Sequence, residues 1–300
     1  MDEPAQVWVP RFLEHLRHER RFSPHTLDGY QRDLRAFSDF CSEKNLSDWE
    51  AIDSHDIRTF AATNHRRGLA PRSIQRRLSA VRSFFHYLIR EGQATSNPAT
   101  DISAPKAAAR LPETLDTDQM AHLLALSAKD TLAIRDRAIM ELLYSSGLRL
   151  AELVSAELSD LDLKDKTIRV TGKGSKTRIL PIGAYATDAL RAWLKRRGEF
   201  AAPDENAVFV SQRGTRLSRR SVQNRIKHWA RRQGVSARVY PHLFRHSFAS
   251  HVLESSGDLR GVQELLGHAD ISTTQIYTHL DFQHLARIYD KAHPRARRRS

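Results

Sequence analysis

Two arginines, several histidines and a late tyrosine hold most of the chemistry this sequence offers. They fall in Pro241-His242-Leu243-Phe244-Arg245-His246, in Leu266-Gly267-His268 and in Ile276-Tyr277-Thr278-His279, matched far upstream by Gly147-Leu148-Arg149. No acidic cluster stands beside them. Arginine grips phosphate oxygens with a planar fork of donors, histidine moves protons, and a tyrosine hydroxyl can attack phosphorus. The set suits one phosphate diester. His242 and Arg245 are three residues apart, so on a helix they project from one face about a turn apart and can share that phosphate.

Other readings of the same residues fit less well. His242 and His246 have the spacing of a helical zinc site, but Leu243 stands where the zincin pattern needs glutamate, and Arg245 lies between the pair. A fixed positive charge repels a metal ion, so no metal is expected. Lys173 lies in Gly172-Lys173-Gly174-Ser175-Lys176-Thr177, which lacks the four-residue gap of a nucleotide-binding loop and joins two strands rather than a strand and a helix. Lys173 is then either a solvated hairpin lysine or one pushed into a DNA groove. Arg149 with Glu152 reads alone as a surface ion pair, and Tyr277 alone as a half-buried aromatic. Their combination is what argues for a site.

These residues need elements to hold them. The first third reads as four helices: Val7 to His18, Thr26 to Cys41 behind Ser23-Pro24, a third capped at Ser54 and running through Phe60, and Pro71 to Arg90. The last carries Ile74, Leu78, Val81, Phe84, Phe85 and Leu88 inward and Arg72, Arg76, Arg77 and Arg82 elsewhere on its surface. Solvated helices normally mix charge signs, so this arginine-only surface points to phosphate or groove contact. From Gln93 to Pro112 small residues and prolines dominate, and an exposed linker is expected. The expected division is a helical DNA-binding domain over 1–92, a linker over 93–112 and a second domain over 113–300.

In the second domain, Asp116 to Leu126, Thr131 to Tyr144 and Glu152 to Leu158 read as helical. Thr167 to Thr171 and Thr177 to Leu180 form a hairpin around Gly172 to Ser175. Ser218 caps a helix from Arg219 to Arg232, and Pro241 onward is helical with breaks at Gly257 and Gly267. The fold class is mainly α: a helical N-terminal domain, then a mostly α domain with a small antiparallel sheet. Arg213, Arg216, Arg219, Arg220 and Lys227 extend the basic surface.

Composition narrows the partner. Forty-eight Lys plus Arg against thirty-five Asp plus Glu leave a net charge of +13 over 300 residues, which favours nucleic acid. No run of about eighteen apolar residues predicts a membrane span. Met1-Asp2-Glu3-Pro4 lacks the order of a signal peptide, and the lone Cys41 excludes an intrachain disulfide. A cytoplasmic protein is expected.

With these motifs in order, the chain resembles the tyrosine recombinases. Gly147-Leu148-Arg149, Gly172-Lys173-Gly174, His242-Leu243-Phe244-Arg245, Leu266-Gly267-His268 and Tyr277 carry the likeness, which covers nearly the whole chain. The stretches Ser255 to His268 and Ser272 to His279 look most similar to the XerC/XerD chromosome-dimer resolvases, XerC above XerD.

The resemblance implies a mechanism. Tyr277 attacks a DNA phosphodiester and forms a 3′-phosphotyrosyl link, freeing a 5′-hydroxyl; the bond energy is kept and no ATP or metal is needed. Arg149, Arg245 and His268 bind the phosphate, His242 accepts the tyrosine proton, Lys173 protonates the leaving oxygen, and Glu152 orients Arg149 or a neighbour. It implies as partners a specific duplex site, a XerD-like recombinase in a tetramer on DNA, and a DNA translocase. The amphipathic stretch Phe282 to Ala292 would dock on a neighbouring protomer, or else pack on its own domain. Two rivals stay open: a mobile-element integrase or relaxing topoisomerase, and a DNA-binding regulator that never cuts.

Overall fold

The computed structural model describes residues 7–20, 22–46, 48–105, 114–127, 130–172, 177–235, 237–266, 286 and 288–297. Contacts divide the chain into two units, 1–110 and 111–300.

Among the described residues, the first unit has four helices: α1 Trp8–His18, α2 Pro24–Glu43, α3 Ser54–Arg66 and α4 Pro71–Arg90. Proline at the first position starts α2 and α4, where its missing N–H costs nothing. α3 is capped by Asp53 rather than Ser54. The Asp53 carboxylate accepts from the N–H groups of His55 and Asp56, while Asp56 reaches back to the N–H of Asp53. With its start secured, α3 continues past Phe60 to Arg66. The core is aromatic, with Phe37 against Phe60 at 5.1 Å and Trp49 edge-on to Phe84 at 5.0 Å between ring centres. Cys41 lies inside it, and burial pushes its thiol up to about 12.

The exposed linker expected from Gln93 does not begin there. Ala94, Ala99 and Ile102 are buried in the first unit's core. Arg82 donates Nε to the Ala99 carbonyl and Nη2 to that of Ile102, both at 3.1 Å, and Asn97 donates to the carbonyl of Arg82 at 3.0 Å. The small side chains that read as linker are small because the strap lies close against α4.

The second unit is built around α6 (Thr131–Ser146), buried on nearly every side. Around it lie α5 (Thr117–Leu124), α7 (Leu150–Ser155), α8 (Ala184–Arg197), α9 (Arg219–Arg232), α10 (Pro241–Ser256) and α11 (Leu259–Leu266). The helical stretch expected over Glu152 to Leu158 is α7 followed by a 3-10 turn, Leu158–Asp160. A short strand β1 (Leu161–Asp162) joins the expected hairpin, β2 (Thr167–Thr171) and β3 (Thr177–Pro181), in an antiparallel sheet of order β1-β2-β3. Ile168 pairs with Leu180 and Val170 with Arg178, and all four are buried. Asp136, on α6, anchors α9: its carboxylate accepts from Arg225 Nε and from Trp229 Nε1 at 2.9 Å. No helix among the described residues is long and apolar enough to cross a membrane.

Candidate active site

The site starts at the end of α6, where Gly147 adopts φ +57° as the C-cap. That left-handed conformation suits glycine, and a Cβ there would lie 2.6 Å from Cδ1 of Phe248. The turn brings Arg149 to the start of α7. Its backbone N–H donates to Oε2 of Glu152 and its Nη1 to Oε1, each at 2.9 Å, leaving the arginine partly exposed.

Glu152 is buried and holds a second arginine. Arg178 on β3 donates Nη1 to Oε1 and Nη2 to Oε2, both at 3.0 Å. Burial pushes the Glu152 carboxyl up, but the hydrogen bonds and charge of Arg178, then those of Arg149, outweigh it and hold the carboxyl below its usual range. The sequence reading missed Arg178. A signal was present: side chains alternate along a strand, so if Leu180 points inward, Arg178 does too.

Arg245, ninety-eight residues after Gly147, joins the same turn. It donates Nη1 to the Gly147 carbonyl at 2.7 Å and Nη2 to that of Leu266 at 2.5 Å. It is buried, and desolvation, followed by the charge of Arg149, lowers its pKa to about 10; it remains a cation at neutral pH. His242 lies one turn earlier on α10, exposed at the surface. Partial desolvation, then the positive charge of His246, Arg245 and Arg149, holds it below the ordinary histidine value, which favours the proton-accepting form. The structure therefore brings together Arg149, Arg245 and His242. Lys173, His268 and Tyr277 lie outside the described residues.

The expected DNA-facing arginines divide. Arg72, Arg213, Arg219 and Arg220 are exposed. Arg76 pairs with the buried Asp33 while staying half exposed, and Arg77 donates to Asn64 and lies 3.6 Å from Asp33. Arg82 is engaged by the strap carbonyls. Arg216 donates to the Val154 carbonyl at 2.9 Å and to Glu157 at 3.0 Å. These four tie elements together, which an arginine-only pattern in sequence does not reveal. Asn224, Lys227, His228, Arg231 and Arg232 line a shallow basic concavity on α9; of its cations the sequence reading had singled out only Lys227.

The C-terminal segment packs on its own unit over 288–297. Tyr289 is buried with its hydroxyl 2.7 Å from that of Ser145, and Arg295 pairs with the fully buried Glu141. The remainder of the stretch from Phe282, apart from residue 286, lies outside the described residues.

Comparison with known proteins fits this geometry. Residues 113–284 match the model of the phage integrase family, and residues 9–92 that of the phage integrase N-terminal SAM-like domain. The chain belongs to the phage integrase family. It is a tyrosine recombinase: it is 55% identical to tyrosine recombinase XerC of Alcanivorax borkumensis across 97% of this chain and 95% of the relative. Against tyrosine recombinase XerC of Salmonella typhi it is 53% identical, across 97% and 96%. The recombinase fold also superposes on the XerH site-specific recombinase in a post-cleavage complex with its palindromic difH substrate, with TM-score 0.72 and 23% identity over 94% of this chain and 83% of that one.

Proposed function

We propose that this recombinase cuts and rejoins DNA strands at a specific duplex site, and that with a XerD-like partner in a tetramer it resolves chromosome dimers. The observation that carries the reading is the convergence of Arg149 and Arg245 on the Gly147 turn, with His242 one turn before Arg245 on α10. In the reaction, Tyr277 Oη bonds to the phosphorus of a diester and the bond to the 5′-oxygen breaks. The tyrosine proton passes to His242, and Lys173 gives a proton to the leaving 5′-oxygen. Charge growing on the nonbridging oxygens is met by Arg149 and Arg245, already held in place, and by His268. A 5′-hydroxyl of another strand then reverses the step and reseals the DNA.

The chromosomal role is supported by relatives at 53–55% identity along nearly their whole length that carry the name XerC. DNA binding is supported by the +13 charge and the exposed arginines of both units. A DNA translocase would be a further partner, licensing cleavage.

The test is a nicked duplex bearing a candidate site, incubated with the protein in EDTA and run on a denaturing gel. A covalent protein–DNA adduct that disappears in Tyr277→Phe, with duplex binding retained, is the expected result. Tight binding with no adduct on any site would instead make the protein a regulator that does not cut.

A further inference from the structure

We propose that Arg178 is a positioning residue of the phosphate clamp: from β3 it holds the Glu152 carboxylate that aims Arg149 at the phosphate. The inference rests on the reading of Arg149 as a phosphate ligand. Arg178 occupies a core position of its strand, on the buried face with Leu180 and paired with Val170. Strand alternation would place an apolar side chain there, and a buried guanidinium is costly unless it is paired. Its hydrogen-bond partner is one carboxylate, gripped through two parallel bonds of 3.0 Å. Such fork-to-fork pairing fixes the plane of the carboxylate as well as its distance.

The same two oxygens carry Arg149. With four donors in place, two from Arg178 and two from Arg149, the carboxylate cannot turn without losing bonds. The orientation of Arg149 is therefore set from the strand. Nε of Arg178 is buried with no hydrogen-bond partner, so the arrangement is not the one that stability alone would select. Charge gives a second reason. Arg149, Arg178 and Arg245 surround a single carboxylate, an excess that a phosphate diester reduces. A neutral residue at 178 would leave Glu152 with Arg149 as its remaining strong partner, and the carboxylate would then compete with the phosphate for that arginine.

Arg178 also lies five residues beyond Lys173, so an effect on the leaving group must be separated from an effect on the clamp. Single-turnover adduct formation is measured on the nicked duplex for Arg178→Met, Arg178→Lys, Glu152→Gln and the Arg178→Met/Glu152→Gln double variant. Arg178→Met is expected to slow adduct formation by about 10²-fold, with duplex affinity unchanged. The loss should persist when sulfur replaces the leaving 5′-oxygen, because a thiolate departs without a proton donor. The double variant should lose little beyond the single ones, since both act through one group. Arg178→Lys, which keeps the charge without the fork, should fall between wild type and Arg178→Met, and it gives the same readouts if the methionine variant does not fold. Recovery on the sulfur substrate, multiplicative losses in the double variant or a wild-type rate would each overturn the inference. Failure of the wild type to form any adduct would count against the proposed function instead.

Discussion

Arg245 donates its Nη1 to the main-chain carbonyl of Gly147 at 2.7 Å, tying α10 to the turn that presents Arg149. Two motifs almost a hundred residues apart are thereby held by one backbone atom. The carbonyl is aimed by the left-handed conformation of Gly147, and the ring of Phe248 closes the space beside it. Gly147→Ala should cost about 1 kcal/mol for the backbone and about 1–3 kcal/mol for the clash, and should slow adduct formation even where the variant is fully folded. Thermal unfolding and single-turnover cleavage check both parts. A second change, Phe248→Leu, should recover stability more than rate if the turn's geometry is what the chemistry needs.

The fold and the site differed in how far they could be read from sequence. Helices starting at Ser23-Pro24 and at Pro71 were legible because a first-position proline and apolar spacing agree locally. Helix α8 was not, because its polar residues Thr187 and Asp188 and its basic end Lys195-Arg196-Arg197 obscure a weak apolar face. At the site, Arg149, His242 and Arg245 stand in short recognisable motifs, whereas the pairing of Arg178 on β3 with Glu152 on α7 spans twenty-six residues and depends on tertiary structure. Arg82 and Arg216 were misleading for a related reason: an arginine that ties carbonyls together looks in sequence like one that waits for phosphate.

Histidine protonation should set a lower pH limit on stability. His293 is fully enclosed, and burial lowers its pKa to about 3. Between that value and its ordinary value near 6.5 the unfolded chain takes up a proton that the folded chain refuses. Stability should therefore fall as pH falls through this window, by up to about 1.4 kcal/mol per pH unit. His251, lowered mainly by burial, acts in the same sense, whereas Glu141, raised by burial, acts in the opposite one. Chemical denaturation of wild type and His293→Asn between pH 4 and 7 isolates the one histidine: the variant should show a shallower slope. Equal slopes would mean that His293 does not titrate on unfolding.

The C-terminal segment is held by an ion pair between the half-buried Arg295 and the fully buried Glu141. Removing one partner strands the other charge in the core. Arg295→Met should destabilise the protein by about 3–5 kcal/mol, and adding Glu141→Gln should restore most of that, because the uncompensated carboxylate is gone. Chemical unfolding of Arg295→Met, Glu141→Gln and the double variant is the measurement. Additive losses would show that the pair's charge is not what holds residues 288–297 in place.

Arg82 separates a structural arginine from a DNA-contacting one. Its Nε and Nη2 are engaged by the carbonyls of Ala99 and Ile102, and its own carbonyl accepts from Asn97. A phosphate ligand, once removed, lowers the log–log salt slope of DNA binding by about 0.9. Arg82→Ala should leave that slope as it is, while Arg72→Ala, from an exposed position on the same helix, should reduce it. The strap should respond in the opposite way. Freed from α4, residues 94–102 would expose Ala99 and Ile102, and limited proteolysis should cut there in Arg82→Ala and not in Arg72→Ala. A reduced salt slope with an intact strap would return Arg82 to the DNA-binding surface.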